Sequence, residues 1–491
     1  MIINNLVTQY LKEGQRTLRI ILLLILFSIV NMFAQNQSNI WYCGNGLGLD
    51  FNENCDPIVR TDGSLFGNEG CATISDKTTG ELLFYTNSEA VWDANHDLME
   101  NGDMIPFGRS TTQVMIIQKP DFDSIYYIIT ADKKASGDGY LLHEIDMSLN
   151  NGLGGIAFKD SLFFPSPCTE KITAIKHENG IDIWLIGHQF STNAFMAFLV
   201  TNAGIAPAVY SLIGKAHNDS IDDAIGEMKA SPNGEKLAVV TYVSPNIELF
   251  DFNNATGEIS NLITLTELGG FLSGFSLLYG LSFSSDNSKL YASVGISDDT
   301  PAKIIQYDIS SNDSITINAS RVDVFTTDTT NIGSLKLGPN RKIYVAKPSS
   351  SGGFNEYLGI INSPDSSGLQ CNYIDKGLYC NGKYAFFGLN NSIEHDEFCD
   401  VVTGNTNIEN HQNITFAPNP FNERTILKAD VAIKNAQLLL FDNSGKLLRS
   451  YKSLNGYQFE VLRGELTSGL YFYSLTESNK LIQSEKFIII D

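Results

Sequence analysis

From about residue 72 to residue 346, the chain repeats one pattern of apolar and polar positions. Each copy starts with a short apolar strand, passes through a polar turn into a second strand rich in aromatic and β-branched residues, and ends with an alternating third strand. The copies recur roughly every 50 residues, which is the spacing of a repeat architecture. The six turns are residues 75–80, 119–121, 177–180, 231–234, 285–287 and 338–340.

The turns have the chemistry of β-hairpins. Asn-Gly and Pro-Asn-Gly tolerate the backbone angles that a tight turn requires, and they separate strand-like segments. Third strands such as residues 247–252 and 304–309 alternate apolar and polar positions, as half-buried strands do. No long stretch has the 3.6-residue period of a helix. A four-stranded antiparallel unit of this length, repeated around a ring, is a β-propeller blade.

The two flanks of the repeats read as an incomplete further blade. They are residues 39–51 and 383–389, and strands from both ends in one blade would close the ring and cover its edges. We therefore predict an all-β chain with a seven-bladed, WD40/YVTN-like β-propeller over residues 39–398. Six or eight blades are the alternatives.

The N-terminus has the pattern of a secretory signal peptide over residues 1–34. Lys12, Arg16 and Arg19 precede a largely apolar stretch of eleven residues, 20–30, and Ala34 offers a small residue at the cleavage site. The alternative is an N-terminal membrane anchor that stays attached. No later apolar segment approaches 18 residues, so we expect no transmembrane segment in the mature chain.

The mature chain is strongly acidic. Removing residues 1–34 takes away three basic side chains and Glu13, so 33 basic and 55 acidic residues become 30 and 54. The resulting net charge near −24 repels phosphate backbones and anionic lipid surfaces. We therefore expect neither nucleic acid nor an anionic membrane as a partner.

Seven cysteines remain after processing, and none forms a CxxC pair of the kind found in zinc sites or dithiol enzymes. The odd number leaves at least one thiol unpaired. Cys371 and Cys380 are close in sequence and flank a predicted turn, so we expect that pair to form the disulfide. The others are expected to be buried as small apolar side chains.

The last eighty residues carry several motifs in a fixed order. These are Pro418-Asn419-Pro420-Phe421, then residues 442–446, 468–473 and 486–491. Together they resemble the type A C-terminal sorting domain of type IX secretion cargo, also called the Por secretion tail. The resemblance implies an Ig-like β-sandwich over residues 412–491, after a linker at 399–411. Its sorting signal would comprise Pro418, Asn419, Pro420, Gly445, Gly469, Tyr471 and Lys486.

That resemblance also implies a partner and a route. The partner is the type IX secretion machinery, and the route leads through the periplasm and outer membrane of a Gram-negative bacterium to the cell surface or the medium. Residues 41–46, 68–72 and 82–87 further resemble the propeller at the start of large surface and gliding-associated proteins that carry the same tail. This second resemblance implies architecture and location, without a chemical activity.

Polar residues near the start of each inner strand indicate a candidate ligand site at one mouth of the propeller channel. Acidic residues there could hold Ca²⁺, which takes six to eight oxygen ligands, and we expect no other cofactor. If Glu69, Glu170 and Glu227 converge, their repulsion calls for a cation or a basic partner such as Arg109. The simpler alternative is that these side chains only cap strand ends. The candidate residues are Glu69, Arg109, Gln113, Glu170, His217 and Glu227.

The sequence is compatible with two functions. The first is a non-catalytic surface module that binds a glycan, a protein or a neighbouring adhesin through one propeller face. The alternative is a secreted hydrolase or lyase that uses an acidic, Ca²⁺-dependent channel mouth. The sequence contains no nucleophile elbow, His-Glu-x-x-His motif or phosphate-binding loop, which favours the first function. We therefore predict a binding protein rather than an enzyme.

Overall fold

The computed structural model divides the chain into two compact units, residues 1–401 and residues 402–491. Each unit is treated by itself below. The predicted signal peptide lies outside the described residues. These are 36–53, 55–103, 114–131, 133–137, 139–164, 167–218, 220–242, 246–266, 277–296, 301–348, 354–394, 398–399, 414–442, 446–477 and 480–491.

The first unit contains seven small antiparallel sheets, numbered here as blades 1 to 7 in chain order. Blades 1 to 3 comprise β1 (Ile40–Cys43), β2 (Leu47–Asp50) and β3 (Ile58–Arg60); β4 (Ala72–Ser75), β5 (Leu82–Thr86) and β6 (Val91–Asp93); and β7 (Val114–Gln118), β8 (Ile125–Ala131), β9 (Tyr140–Asp146) and β10 (Gly155–Phe164). Blade 4 comprises β11 (Cys168–Lys176), β12 (Ile183–Gln189), β13 (Ala194–Thr201), β14 (Gly204–Ile205) and β15 (Val209–Leu212).

The last three blades have four strands each. They comprise β16 (Met228–Ala230), β17 (Lys236–Val240), β18 (Asn246–Phe252) and β19 (Ile259–Thr266); β20 (Leu278–Phe283), β21 (Lys289–Val294), β22 (Ala302–Asp308) and β23 (Val322–Thr327); and β24 (Leu335–Leu337), β25 (Ile343–Val345), β26 (Tyr357–Ile361) and β27 (Tyr373–Tyr379). In the described part of this unit, one α-helix, α1 (Ser314–Ala319), precedes β23. Short 3₁₀ turns occur at Asn36–Ser38, Lys133–Ala135, Asn150–Gly152, Ile221–Ala224 and Gly368–Cys371.

All six predicted turns join the first two strands of a blade, from blade 2 to blade 7. The turn at 231–234 is representative. Ser231 N donates to Lys236 O at 2.9 Å, and Gly234 has φ +70°. Such a backbone angle favours glycine, so the Asn-Gly pair fixes the hairpin and the register of the strands. The repeat predicted from the sequence is confirmed.

Apolar residues of adjacent blades pack against one another around the whole ring. Blade 1 closes it, because its core residues contact blades 2 and 7 within one apolar cluster. Tyr42 stacks on Tyr85 of blade 2 with ring centroids 4.6 Å apart, and Trp41 and Phe51 each lie 5.6 Å from the ring of Tyr344 in blade 7. The structure is therefore the seven-bladed β-propeller that the sequence predicts.

The predicted manner of ring closure is wrong in one respect. Each sheet takes its strands from one continuous stretch of chain, so the two ends do not share a blade. Instead, residues 384–391 run beside the first strands and are held by backbone hydrogen bonds. Phe387 N donates to Asn68 O at 2.8 Å, and the carbonyl of Phe387 accepts from Ser334 N at 2.7 Å. Asn391 N donates to Cys71 O at 2.8 Å.

The predicted disulfide is also wrong. Cys371 and Cys380 are unpaired and buried, while Cys55 pairs with Cys399 across 344 residues, with Cα atoms 5.8 Å apart. Cys371 belongs to the apolar core between blades 6 and 7, and Cys380 to the core between blades 7 and 1. The two thiols therefore lie on opposite sides of blade 7. The other cysteines, Cys43, Cys71 and Cys168, are buried as expected.

The second unit is a five-stranded antiparallel sheet that wraps around its own core. Its first two strands are followed in space by the last two, and the third strand pairs with the second, which gives a nearly closed, sandwich-like form. Apolar side chains such as Leu427, Leu438, Tyr473 and Phe487 fill its interior. The strands are β28 (Ile414–Ala417), β29 (Arg424–Phe441), β30 (Leu447–Leu462), β31 (Gly469–Glu477) and β32 (Lys480–Ile489).

The predicted sorting residues tie the start of this unit to its last strands. Pro418, Asn419 and Pro420 form the bend after β28, where Asn419 Oδ1 accepts a hydrogen bond from Ile488 N at 2.8 Å. The Tyr471 hydroxyl donates to Thr467 O at 2.7 Å, in a strand that begins at Gly469. Lys486 is exposed on β32, opposite Phe472. Gly445 lies outside the described residues.

Candidate functional site

The predicted candidate residues that the structure describes belong to the side of the propeller where the inner strands begin. The first strands of successive blades contact one another, so they surround the centre of the ring. Glu69 precedes β4, Glu170 lies in β11, and Glu227 immediately precedes β16. Arg109 and Gln113 lie outside the described residues. We call this side of the molecule the acidic rim.

Lys134 joins two acidic residues of the acidic rim. Its backbone N–H donates to Glu170 Oε1 at 2.8 Å, and its ammonium group pairs with Asp222 Oδ1, also at 2.8 Å. The hydrogen bond to Asp222, together with the nearby Glu170 and Glu69, raises the pKa of Lys134. The acidic residues therefore have a basic partner from the chain itself. Sequence reasoning missed it because Lys134 comes from the loop between β8 and β9, not from the start of an inner strand.

Glu227 has a different environment from Glu69 and Glu170. Its side chain is buried and joins three blades, because Oε2 accepts from Leu281 N at 2.7 Å and Oε1 accepts from the Ser334 hydroxyl at 2.6 Å. Burial raises the pKa of the Glu227 carboxyl, and Lys229 partly opposes that effect. A carboxylate held in this way supports the ring and is not presented to a ligand.

His217 stacks on His188, with ring centroids 3.8 Å apart, and both side chains are fully buried. Neither ring has a hydrogen-bond partner within the described part of the chain. Burial lowers the pKa of His188 to about 3 and that of His217 well below its usual value. Sequence reasoning missed His188 because it lies in the apolar strand β12.

Lys171, next to Glu170 in β11, is the other unusual group near the histidine pair. Its ammonium group is completely buried and donates to the carbonyls of Asp223 at 2.6 Å and Ile225 at 2.9 Å. Burial lowers the pKa of Lys171 to about 7. A perturbed pKa of this kind occurs in catalytic sites, but also in structural networks. Here the ammonium group holds the turn that carries Asp223.

The histidine pair predicts acid sensitivity. Unfolded histidines bind protons with a pKa near 6.5, whereas the folded state keeps His188 and His217 neutral well below that pH. Stability should therefore fall as the pH drops below about 6.5, by about 1.4 kcal/mol per pH unit for each buried histidine. Urea unfolding between pH 7 and pH 5 measures this slope. In His188→Gln the dependence of the unfolding free energy on pH should be weaker by about 1.4 kcal/mol per pH unit. An unchanged dependence would show that His188 is not kept neutral by burial.

The centre of the propeller is occupied by the chain itself. Asn391 Nδ2 donates to Val114 O at 3.0 Å and to Ile172 O at 3.4 Å, on the inner strands of blades 3 and 4. On the inner strand of blade 7, Lys336 Nζ donates to Glu394 Oε1 at 2.6 Å. Residues 390–394 thus cross the position at which the sequence predicts an open channel, and we call them the channel segment.

A pocket of about 260 Å³ lies on the face opposite the acidic rim. It is formed by the first turns of blades 2, 3 and 4, by residues 37–38, and by Ser392 and Ile393 of the channel segment. Three lysines line it, namely Lys77, Lys119 and Lys176. Sequence reasoning missed this pocket because its walls come from three repeats and from both ends of the propeller.

Two negative findings concern the described residues alone. Among them, no group of three or more His, Cys, Asp or Glu side chains is arranged to hold a metal ion. No helix in the same residues is both long and apolar enough to cross a membrane.

The geometry of the second unit agrees with a known protein family. Residues 415–490 match the family described as the secretion system C-terminal sorting domain. The chain carries a type IX sorting domain. This match confirms the resemblance seen in the tail, and it indicates that this cargo is exported to the cell surface or released.

The cargo's propeller also has weak likenesses among solved structures. A protein from Lactobacillus plantarum is 12% identical, with a TM-score of 0.37, over 80% of this chain and 98% of that one. The periplasmic gluconolactonase of Pseudomonas aeruginosa is 12% identical, with a TM-score of 0.36, over 76% of this chain and 94% of that one. Scores this low support no statement about activity. No curated protein matches the sequence significantly.

Proposed function

We propose that this type IX cargo is a non-catalytic binding protein that acts at the cell surface or in the medium. Its ligand is a glycan, and the binding site is the pocket between blades 2, 3 and 4. The observation that carries the proposal is that pocket, which combines about 260 Å³ of space with apolar and polar walls. Small-molecule sites commonly combine apolar walls with a few polar groups, and the pocket is slightly below their usual lower volume of about 300 Å³, which suits a ligand as small as one sugar unit.

The contacts at the acidic rim support a binding role for the protein over a catalytic one. Lys134 donates its backbone N–H to Glu170 and pairs its ammonium group with Asp222, and Glu227 is buried among three blades. A general base must reach the proton that it removes, directly or through one water. Lys171 has a suitable pKa of about 7, but its side chain is completely buried.

The alternative function is a secreted hydrolase or lyase that uses the acidic rim. Lys171 and the histidine pair are the observation in its favour, because perturbed pKa values cluster at functional sites. Hydrolysis or cleavage of a glycan by the purified protein, lost in Lys171→Met, would establish it.

A glycan array probed with the mature protein tests the binding proposal. Ile181 is 54% exposed at the pocket, so Ile181→Trp should fill the opening and weaken binding at least tenfold. Ile315→Trp is the matched control, because Ile315 is 80% exposed on α1, and its binding should equal that of the wild type. Binding that survives Ile181→Trp would contradict the proposed site. A parallel array with chelator tests whether Ca²⁺ contributes.

A further inference from the structure

The pocket concentrates positive charge on a strongly acidic protein. Lys77, Lys119 and Lys176 all line it, against one carboxylate, Asp121, whereas the full chain has a net charge of −22. Asp121 accepts a hydrogen bond from Asn202 Nδ2 at 2.7 Å. Lys77 pairs with Asp123, whose side chain is 90% exposed. An ion pair in such contact with water is weak and can be exchanged for another partner at little cost.

Lys119 is held in place by aromatic rings and not by a carboxylate. Its ammonium group lies 4.5 Å from the ring centroid of Phe122 and 5.7 Å from that of Tyr127. No carboxylate lies within ion-pair distance of it in the described part of the chain. The turn that carries Lys119 is fixed, because Gln118 Nε2 donates to Phe122 O at 2.8 Å and Gln118 Oε1 accepts from Gln37 at 2.7 Å. The ammonium group is thus positioned at the pocket without neutralisation of its charge.

Ser392 provides a second and independent indication of a ligand. Ser392 is a lining residue of the pocket and is only 6% exposed, and its buried hydroxyl group has no hydrogen-bond partner among the described residues. A buried polar group without a partner is unfavourable, and such groups are normally satisfied. A ligand hydroxyl or carboxylate in the pocket would supply the missing partner.

The remaining walls suit the carbon skeleton of a sugar. Phe122 and Ile181 also line the pocket and are partly exposed, at 41% and 54%. They offer apolar surface beside the lysines. A long polyanion is an unsuitable ligand, because the acidic remainder of the protein would repel it. A single acidic unit within a largely neutral glycan satisfies both constraints.

We propose that the pocket recognises a carboxylate-bearing sugar of the hexuronate class, with Lys119 binding the carboxylate and Ser392 a hydroxyl group. This inference rests on the proposed function, since it names the ligand of the same pocket. A charge-assisted hydrogen bond from Lys119 should make the hexuronate bind at least tenfold more tightly than the neutral hexose of the same configuration.

Calorimetric titration of the mature protein tests this. The probes are glucuronate, galacturonate and mannuronate, each against glucose, galactose or mannose. We expect at least one uronate to bind, and its affinity to fall about tenfold in Lys119→Gln and to decrease with added NaCl. Lys119→Arg, which keeps the charge, should retain most of the affinity.

The outcomes separate the two proposals. If neutral and acidic sugars bind equally well and Ile181→Trp abolishes both, the pocket is a glycan site and the hexuronate assignment is wrong. If Lys119→Gln leaves uronate binding unchanged, the carboxylate is bound elsewhere and the assignment is again wrong. If neither the sugars nor any array glycan binds in a manner sensitive to Ile181→Trp, the proposed function itself fails.

Discussion

Deletion of residues 414–491 should abolish surface display and leave a folded propeller in the periplasm. The deleted unit has its own apolar core, and its five strands pair only with one another among the described residues. Removing it therefore takes no strand from any of the seven blades. The match at residues 415–490 assigns the export signal to the same unit. We expect the surface-exposed fraction to fall to background and the unfolding midpoint of the propeller to stay unchanged.

Fractionation of cells that express the truncated and full-length chains measures the first effect, with a resident periplasmic protein as the marker. Thermal unfolding of the two purified proteins measures the second. Limited proteolysis adds a test of the predicted linker, since cleavage between residues 399 and 411 should precede cleavage within the blades. Normal surface display of the truncated chain would refute the assignment of the sorting signal.

Local sequence chemistry was sufficient to predict the propeller. Each blade begins with a hairpin whose turn residues require particular backbone angles, as Gly234 with its φ of +70° illustrates. The pattern of strand, turn and strand is repeated in six places, so misreading one turn would not have changed the predicted fold. Blade 1 also begins with such a turn, at residues 44–46, where Gly44 has φ +60° and Gly46 φ +78°. It was predicted from the strand-like flank that includes Trp41, which packs against blades 2 and 7.

Contacts between residues distant in sequence were not predictable in the same way. Cys55 and Cys399 are separated by 344 residues and meet only because the ring closes. The pair that sequence proximity suggested, Cys371 and Cys380, is divided by the sheet of blade 7. The occupied channel has the same origin, because Asn391 contacts carbonyls of blades 3 and 4 that are more than 200 residues away in sequence.

In the candidate site, too, the local features were predictable from the sequence and the contacts between distant residues were not. The acidic character of the rim follows from the positions of Glu69 and Glu170 near the starts of inner strands. Its basic partner, Lys134, comes from a different kind of loop and could not be assigned without the distances between blades. The pocket on the opposite face is assembled from the turns of three repeats, and each of these turns is unremarkable in the sequence.

Breaking the Cys55–Cys399 disulfide should destabilise the propeller by about 3–5 kcal/mol. The bond closes a loop of most of the propeller, and a cross-link over a long loop removes much of the entropy of the unfolded chain. It also joins blade 1 to the chain just beyond the channel segment, where Cys399 N donates to Pro339 O at 2.9 Å. Loss of the bond should therefore loosen residues 384–399 first and expose them to proteolysis.

Chemical unfolding of Cys55→Ser, Cys399→Ser and the double variant measures the effect. All three should lose the same amount of stability, because each removes the same bond and two changes to one interaction are not additive. Reductant should lower the wild type to the level of the variants and leave the variants unchanged, which separates the disulfide from the five buried free thiols. If reductant leaves the wild type unaffected, or if the double variant loses the sum of the two single losses, the bond does not hold the ring closed.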